Sequence, residues 1–430
     1  MVRSIYIIQM TIKNRIKSLL KNKAATTLIE NFLSLSLLQV AGYIFPLITL
    51  PYLARVIGID KFGEIAFASA VIIYFETLVN FGFNYTAIRD IAKNRDNIVF
   101  MSKVFSTVMA ARIILMLISL MVLEICILTI PFFYDNRLIL WLTFLYIPGN
   151  IMFPEWFFQA VEQMKYITII NVISKLLFTV LVFFVIKEKS DYIYQPLLVS
   201  LGFFVSGIIA IIIIRKKFHI QFSYPSIEDI FLAIKGSANM FIVLFLPNLY
   251  TNFSTILLRS YGGEIITGIY SSGYRFISLV DSLSLVLSRT FYPFLARRID
   301  KHSLFVKIGF SLSVLASLFL FFGADLLVNI FYTKEFTDSA TVIKIMAISP
   351  FFLFLMNTYG ANYLVLVGAE SIFRNIVIFC SLGGFILSWI IVPKYGFMGA
   401  AITITIVWGI RGFLTWLYVR RYNNRMTNNI

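Results

Sequence analysis

Polar and apolar positions along this chain do not alternate at the period of a strand, nor do they form a single apolar stripe on otherwise polar helices. Nearly uninterrupted apolar runs of roughly 20 residues recur instead from residue 31 to residue 419, separated by short polar connections. As a helix rising 1.5 Å per residue, such a run crosses a bilayer core of about 30 Å. A helix that is apolar all round belongs in lipid or in a buried core. The pattern predicts twelve membrane-spanning helices, at 31–54, 64–87, 104–130, 138–161, 166–186, 193–214, 239–258, 266–295, 304–331, 340–366, 373–393 and 397–419. The expected fold class is all-α and integral to a membrane.

The longest connection, 215–238, divides the spans into a six-helix bundle at 31–214 and a second at 239–419, with a basic segment at 1–30 before them and a tail at 420–430 after them. That connection is too short to bury a core of its own, which argues against an enzymatic domain outside the membrane. Within it Ser226 is placed to cap the segment IEDIFLAIKG, Glu228 and Asp229 occupy the favourable first turn, and Gly236 is placed to end it. The expectation is a short amphipathic surface helix. The segment TIKNRIKSLLKNKAATT, with Lys13, Lys17 and Lys21 at a spacing of four, predicts an interfacial basic helix near the N-terminus.

The two halves share a modest internal similarity. LARVIGIDKFGEIAFASA follows the first span and LLRSYGGEIITGIYSSG the seventh, which pairs Arg55, Gly58, Gly63 and Ser69 with Arg259, Gly262, Gly268 and Ser272. Copies separated by six spans are parallel, related by an axis along the membrane normal. Two lobes with a cleft between them follow as an expectation.

Composition agrees with a membrane protein: 59% of residues are hydrophobic and 13% charged. A net charge of +16 would suit nucleic acid if the cations formed one patch, but they are spread over short loops. The densest groups are Lys13, Arg15, Lys17, Lys21 and Lys23 before the first span, Arg89, Lys93 and Arg95 after the second, and Arg215, Lys216 and Lys217 after the sixth. By the positive-inside rule both termini face the cytoplasm. The first span is too long for a signal-peptide core and is expected to be retained. Cys126 and Cys380 lie in separate apolar spans, and His219 and His302 have no second ligand at metal spacing. Neither a Walker loop nor a dinucleotide fingerprint occurs. No metal or cofactor is expected, and direct ATP hydrolysis is not.

Charges inside the spans are the candidate chemistry. A charge at mid-membrane costs at least ~2.5 kcal/mol on insertion scales and normally faces a partner or a water-filled cavity. Arg112, Lys175 and Arg275 lie deep in the third, fifth and eighth spans, with Asp281 also in the eighth; Glu76, Glu124 and Glu155 are the other intramembrane acids. Arg289 and Arg411 lie nearer span ends and are expected to snorkel. Cations slightly outnumber anions, which favours an anionic cargo, and a guanidinium fork matches phosphate oxygens in shape as well as charge.

The segment PEWFFQAVEQMKYITIINVISK, 154–175, closely resembles the Pro-x-Trp-Phe-Phe-Gln-Gly-x-Glu-x-Met stretch of the Wzx-type O-antigen and polysaccharide flippases, members of the multidrug/oligosaccharidyl-lipid/polysaccharide exporter superfamily; it departs at Ala160, where Gly is usual. TLPYLARVIGIDKFGEIAFASA (49–70), NFGFNYTAIRDIAKNRDN (80–97), GIYSSGYRFISLVDSLSLVLSRTFYPFLAR (268–297) and VPKYGFMGAAITITIV (392–407) fit the same family in order. The resemblance implies a MATE-like V of two six-helix bundles in the bacterial inner membrane, moving undecaprenyl-pyrophosphate-linked oligosaccharide from the cytoplasmic to the periplasmic leaflet. It implies a transporter, not an enzyme, working alongside a polysaccharide polymerase and a chain-length regulator.

On that reading Arg112, Lys175 and Arg275 are the candidates for the headgroup phosphates, with structural pairing to Glu76 or Glu155 the alternative for Arg112 and Lys175, and Tyr146, Trp156, Phe157, Tyr270 and Tyr274 are the candidates for sugar contact. Glu76, Glu124, Glu155 and Asp281 are candidates for ion relay or pairing, with coupling to the membrane potential or to a proton or sodium gradient. Pro154 is expected to bend the fourth span. The rival reading, a cation-coupled drug antiporter of the same superfamily, calls for an acid-dominated cleft.

Overall fold

The computed structural model describes residues 23–297, 299 and 302–428. The expected N-terminal basic helix falls almost wholly on residues outside these, and the Arg289 side chain also lies outside the described residues. The elements are α1 (Lys23–Asn80), α2 (Phe83–Lys93), α3 (Ile98–Thr129), α4 (Pro131–Asp135), α5 (Arg137–Phe144), α6 (Tyr146–Met152), α7 (Glu155–Ala160), α8 (Met164–Val185), α9 (Tyr194–Phe218), α10 (Ile227–Phe245), α11 (Asn248–Arg297), α12 (His302–Phe331), α13 (Ser339–Met346), α14 (Ser349–Leu355) and α15 (Glu370–Asn428). A π-helical stretch, Met356–Leu364, follows α14.

The fold is all-helical. Among the described residues seven helical segments are long and apolar enough to cross a membrane, or eight if Ile227–Phe245 and Asn248–Leu285, bent by 53°, are one span. Large apolar side chains such as Leu128, Phe184 and Phe322 are more than 70% exposed. Exposed apolar surface on this scale marks a lipid-facing exterior.

Three of the long helices each run through the junction of two predicted spans, broken at Gly58 in α1, Gly263 in α11 and Gly396 in α15; the predicted span at 239–258 is itself divided, its first part in α10 and the rest in α11. Gly58 (φ 73°, ψ 175°) and Gly263 (φ 76°, ψ −171°) share one conformation, in a region open essentially to glycine alone. This corrects the register of the internal repeat by one residue. Gly263, not Gly262, is the counterpart of Gly58, and Gly63 and Gly268 then stand at the same interval.

The fourth span leaves helical geometry at Phe153 (φ −103°, ψ 80°) and Pro154 (φ −79°, ψ 76°), so the helix is interrupted at the expected proline. In the linker the Ser226 cap forms as expected, its Oγ accepting from the Asp229 backbone N–H at 3.0 Å. Gly236 does not end that helix, however, and α10 runs on to Phe245. An interior glycine costs a helix only about 1 kcal/mol, whereas Pro247 has no N–H and clashes with the preceding turn, so the chain bends there. Helix α10 is held to the N-terminal half: Phe241 stacks on Phe81 at 4.4 Å, Ser237 hydrogen-bonds Thr86 at 2.8 Å, and Asp229 pairs with Lys103 at 2.9 Å. Because a Cβ on Gly236 would meet nothing within 4 Å, Gly236→Ala is expected to stabilise the protein by about 1 kcal/mol, read as a raised thermal midpoint in detergent.

Candidate functional site

Helices α1 and α11, the paired repeat elements, pack against each other and enclose a cavity of about 230 Å³. Leu53, Phe62, Ser69 and Ile73 line it from α1, Gln195 from α9, and Asn252, Tyr270, Tyr274 and Arg275 from α11. Arg275 is the one charged residue lining it among the described residues. Its guanidinium lies 4.9 Å from the centroid of the Phe62 ring, and it makes no ion pair among the described residues. Tyr274 stacks on the buried Tyr270 at 5.6 Å, and the Tyr270 hydroxyl has no hydrogen-bond partner among the described residues.

One end of this cleft is sealed by the repeat itself. A Cβ on Gly63 would fall 2.0 Å from the Glu264 carbonyl oxygen, and one on Gly268 would fall 2.3 Å from that of Ile59. In the corrected register Ile59 corresponds to Glu264, so the two contacts are one contact made twice about a pseudo-twofold axis. Around them Phe62 meets the edges of Tyr332 and Phe336 at 6.1 and 5.8 Å, and Arg259 donates to Asn136 Oδ1 at 3.1 Å. Beside the seal, Lys189 pairs with Asp60 at 2.9 Å. Burial raises the Asp60 carboxyl, but the hydrogen bond and charge of Lys189 outweigh it and hold the group below the usual carboxylate range.

The N-terminal half contains a polar network that links Arg112 to Glu76, one of the acids expected to relay an ion or to pair, through side-chain amides and a tyrosine. Arg112, 2% exposed, donates to Asn80 Oδ1 at 2.6 Å and to Asn150 Oδ1 at 2.8 Å. Asn150 Nδ2 donates to the Tyr146 hydroxyl at 3.0 Å, and Tyr146 donates to Glu76 Oε1 at 2.9 Å. Glu155 accepts from Asn171 at 2.8 Å and feels the charges of Lys175 and Arg112. Lys175 Nζ comes within 3.3 Å of where a Cβ on Gly42 would stand. A second cavity of about 210 Å³, lined by Glu76, Tyr146 and Thr143, shares Ser69, Ile73 and Gln195 with the cleft.

Several expected site residues are therefore placed elsewhere. Arg112 does not line the cleft, because two asparagines take its guanidinium inside the N-terminal half. Trp156 and Phe157 are 1% and 0% exposed, packed on Phe105 at 5.6 Å each, and cannot reach a sugar in this arrangement. Glu124 accepts from the Trp141 indole at 2.6 Å and lines neither cavity. Asp281 lies near the charge of Arg411, whose buried Nε has no partner among the described residues and whose guanidinium lies 5.7 Å from the centroid of the Phe373 ring. Arg275, Tyr270 and Tyr274 are at the cleft. Asn80, Asn150, Asn171 and Gln195 were missed; the signal available for them was an amide inside an apolar run.

A family described as "Polysaccharide biosynthesis protein" matches residues 28–299. A protein named "Putative O-antigen transporter" from Escherichia coli (strain K12) is 27% identical over 413 residues, covering 94% of this chain and 99% of its own length. One of the same name from Shigella dysenteriae is 25% identical over 387 residues, covering 87% and 96%. Among solved structures, the lipid II flippase MurJ in an inward closed conformation superposes with a TM-score of 0.72 at 12% identity, over 91% of this chain and 87% of its own. An inward-facing multidrug resistance MATE family transporter of the MOP superfamily gives 0.67 at 14% identity, over 93% and 99%. At these identities the structural likeness is one of fold.

Proposed function

Because this chain belongs to the polysaccharide biosynthesis protein family, matched over residues 28–299, we propose that it is a flippase for lipid-linked oligosaccharide, a multi-pass membrane transporter and not an enzyme. The cargo is an undecaprenyl-pyrophosphate-linked repeat unit of O-antigen or a related surface polysaccharide, carried from the cytoplasmic to the periplasmic leaflet of the bacterial inner membrane. The observation that carries this reading is the cleft between the halves, whose one charged lining residue among those described is a cation, Arg275. A drug-cation antiporter needs acid there.

The chain crosses the membrane twelve times with both termini in the cytoplasm, and the Gly63–Gly268 seal then faces the periplasm. A cavity of about 230 Å³ is below the ~300–1,000 Å³ usual for a small-ligand site, so the halves must separate to admit a glycan. Alternating access follows: Arg275 receives the pyrophosphate from the cytoplasmic side, Tyr270 and Tyr274 offer ring faces to the sugar, and the polyprenyl tail stays in lipid. Arg112 and Lys175 set the charge balance of the N-terminal half. Outward movement of an anion gains roughly 2.3 kcal/mol per charge per 100 mV of inside-negative potential. A polymerase and a chain-length regulator consume the delivered unit.

Deleting the gene in its own host tests the reading. The expected result is that lipid-linked oligosaccharide accumulates, protected from an impermeant reagent added from the periplasm, while surface polysaccharide is lost. Normal surface polysaccharide with no trapped intermediate, in a host without a second flippase, would favour the antiporter.

A further inference from the structure

We infer that Glu76 binds and releases a coupling proton, and that the hydrogen-bond chain Tyr146–Asn150 transmits its charge state to Arg112. This rests on the transport reading above and goes beyond it by naming the ion and its binding group. The geometry is directional: Arg112 donates to the Asn150 carbonyl oxygen, the Asn150 amide donates to the Tyr146 hydroxyl, and that hydroxyl donates to Glu76. Every donor in the chain points from the fixed cation toward the carboxylate. Such a chain polarises cooperatively and is strongest when its last acceptor is charged.

The carboxylate is also reachable. Glu76 lines the side cavity that shares Ser69, Ile73 and Gln195 with the cleft. The titratable or charged groups facing it are Tyr146 from α6, Arg112 from α3 and Glu155 from α7; α9 brings only Gln195, Pro196 and Val199 to the cavity. Among the described residues no three His, Cys, Asp or Glu side chains gather into a metal-binding group. A carboxylate under the field of an arginine, with only Glu155 as a second acid facing it, suits a proton better than a metal cation, and buried carboxylates are common proton relays in transporters.

Protonation removes the charged acceptor at the end of the chain and loosens the Tyr146 and Asn150 contacts that tie α6 to α1 and α3. The stretch of α1 after Gly58 carries Gly63 in the seal, Ser69 and Ile73 in the cleft, and Glu76 and Asn80 in the network. A proton on Glu76 therefore acts on the helix that closes the cleft.

The full chain, reconstituted and adsorbed on a solid-supported membrane, is given a pH jump or, at constant pH, a sodium jump, with no cargo present. The pH jump is expected to displace charge in the wild type, at least tenfold less in Glu76→Gln, and measurably in Glu76→Asp; the sodium jump is expected to displace none. Tyr146→Phe, which keeps the carboxylate but removes its donor, is expected to shift the pH midpoint of the displacement. Wild-type displacement in Glu76→Gln, or a sodium-driven displacement that Gln abolishes, would overturn the proton site. An unchanged midpoint in folded Tyr146→Phe would overturn the chain. Failure in either case leaves the flippase reading standing, and loss of that reading through the gene deletion leaves these currents intact.

Discussion

Gly63→Ala is expected to open the sealed end of the cleft, the end that the proposed topology turns to the periplasm. The new Cβ would sit 2.0 Å from the Glu264 carbonyl oxygen and 2.8 Å from the Gly268 nitrogen, both backbone atoms that no rotamer change can move aside. Overpacking of this kind costs about 1–3 kcal/mol, and the cost falls only on the closed state. The ratio of closed to open forms should drop by about fivefold to a hundredfold. Gly268→Ala makes the pseudo-symmetric clash against Ile59 and should act alike. With Cys126 and Cys380 replaced, Ser271→Cys places a reporter in the cleft wall. Its labelling by an impermeant thiol reagent from the periplasm is expected to accelerate in both alanine variants and to stay slow with Gly236→Ala, where the added methyl meets nothing. Equal labelling in all of them would show that the glycine contact does not hold the cleft shut.

Arg275→Ala is expected to abolish most export. It removes the cation lining the cleft, and a hydrogen bond to a charged group contributes about 1.5–3 kcal/mol, so transport of a pyrophosphate-linked cargo should fall about tenfold to a hundredfold. Arg275→Lys keeps the charge but loses the planar fork and the face-on contact with Phe62, and should recover only part of it. Surface polysaccharide per molecule of flippase in the membrane fraction is the measurement. Wild-type export from Arg275→Ala at normal abundance would remove Arg275 from the cargo path.

What the sequence conveyed well was whatever depended on solvent. Lipid demands twenty-residue apolar helices and makes each internal charge costly, so the helical fold and Arg275 could be read from composition along the chain. It conveyed less where partners are chosen in three dimensions. Arg112 and Arg275 lie at similar depths in the sequence, yet Asn80 and Asn150 take one into the N-terminal half and leave the other at the cleft. Those amides carry no charge and barely interrupt an apolar run. Trp156 and Phe157 looked available because aromatic residues suit both sugars and cores, and here the core holds them. The one-residue error in the repeat has the same origin: Gly262 and Gly263 are adjacent, and only the backbone angle distinguishes the residue that ends the helix from its neighbour.

The most direct test of the flippase reading is reconstitution of the full chain into liposomes with lipid-linked oligosaccharide extracted from a host lacking it, followed by a membrane-impermeant reagent that modifies the sugar. Flipping is expected to raise the modified fraction from the outer-leaflet share toward completion, and to do so more slowly with Arg275→Ala. A modified fraction that stays at the outer-leaflet share of protein-free liposomes, with folded wild-type protein present and a proton gradient and membrane potential imposed, would contradict it.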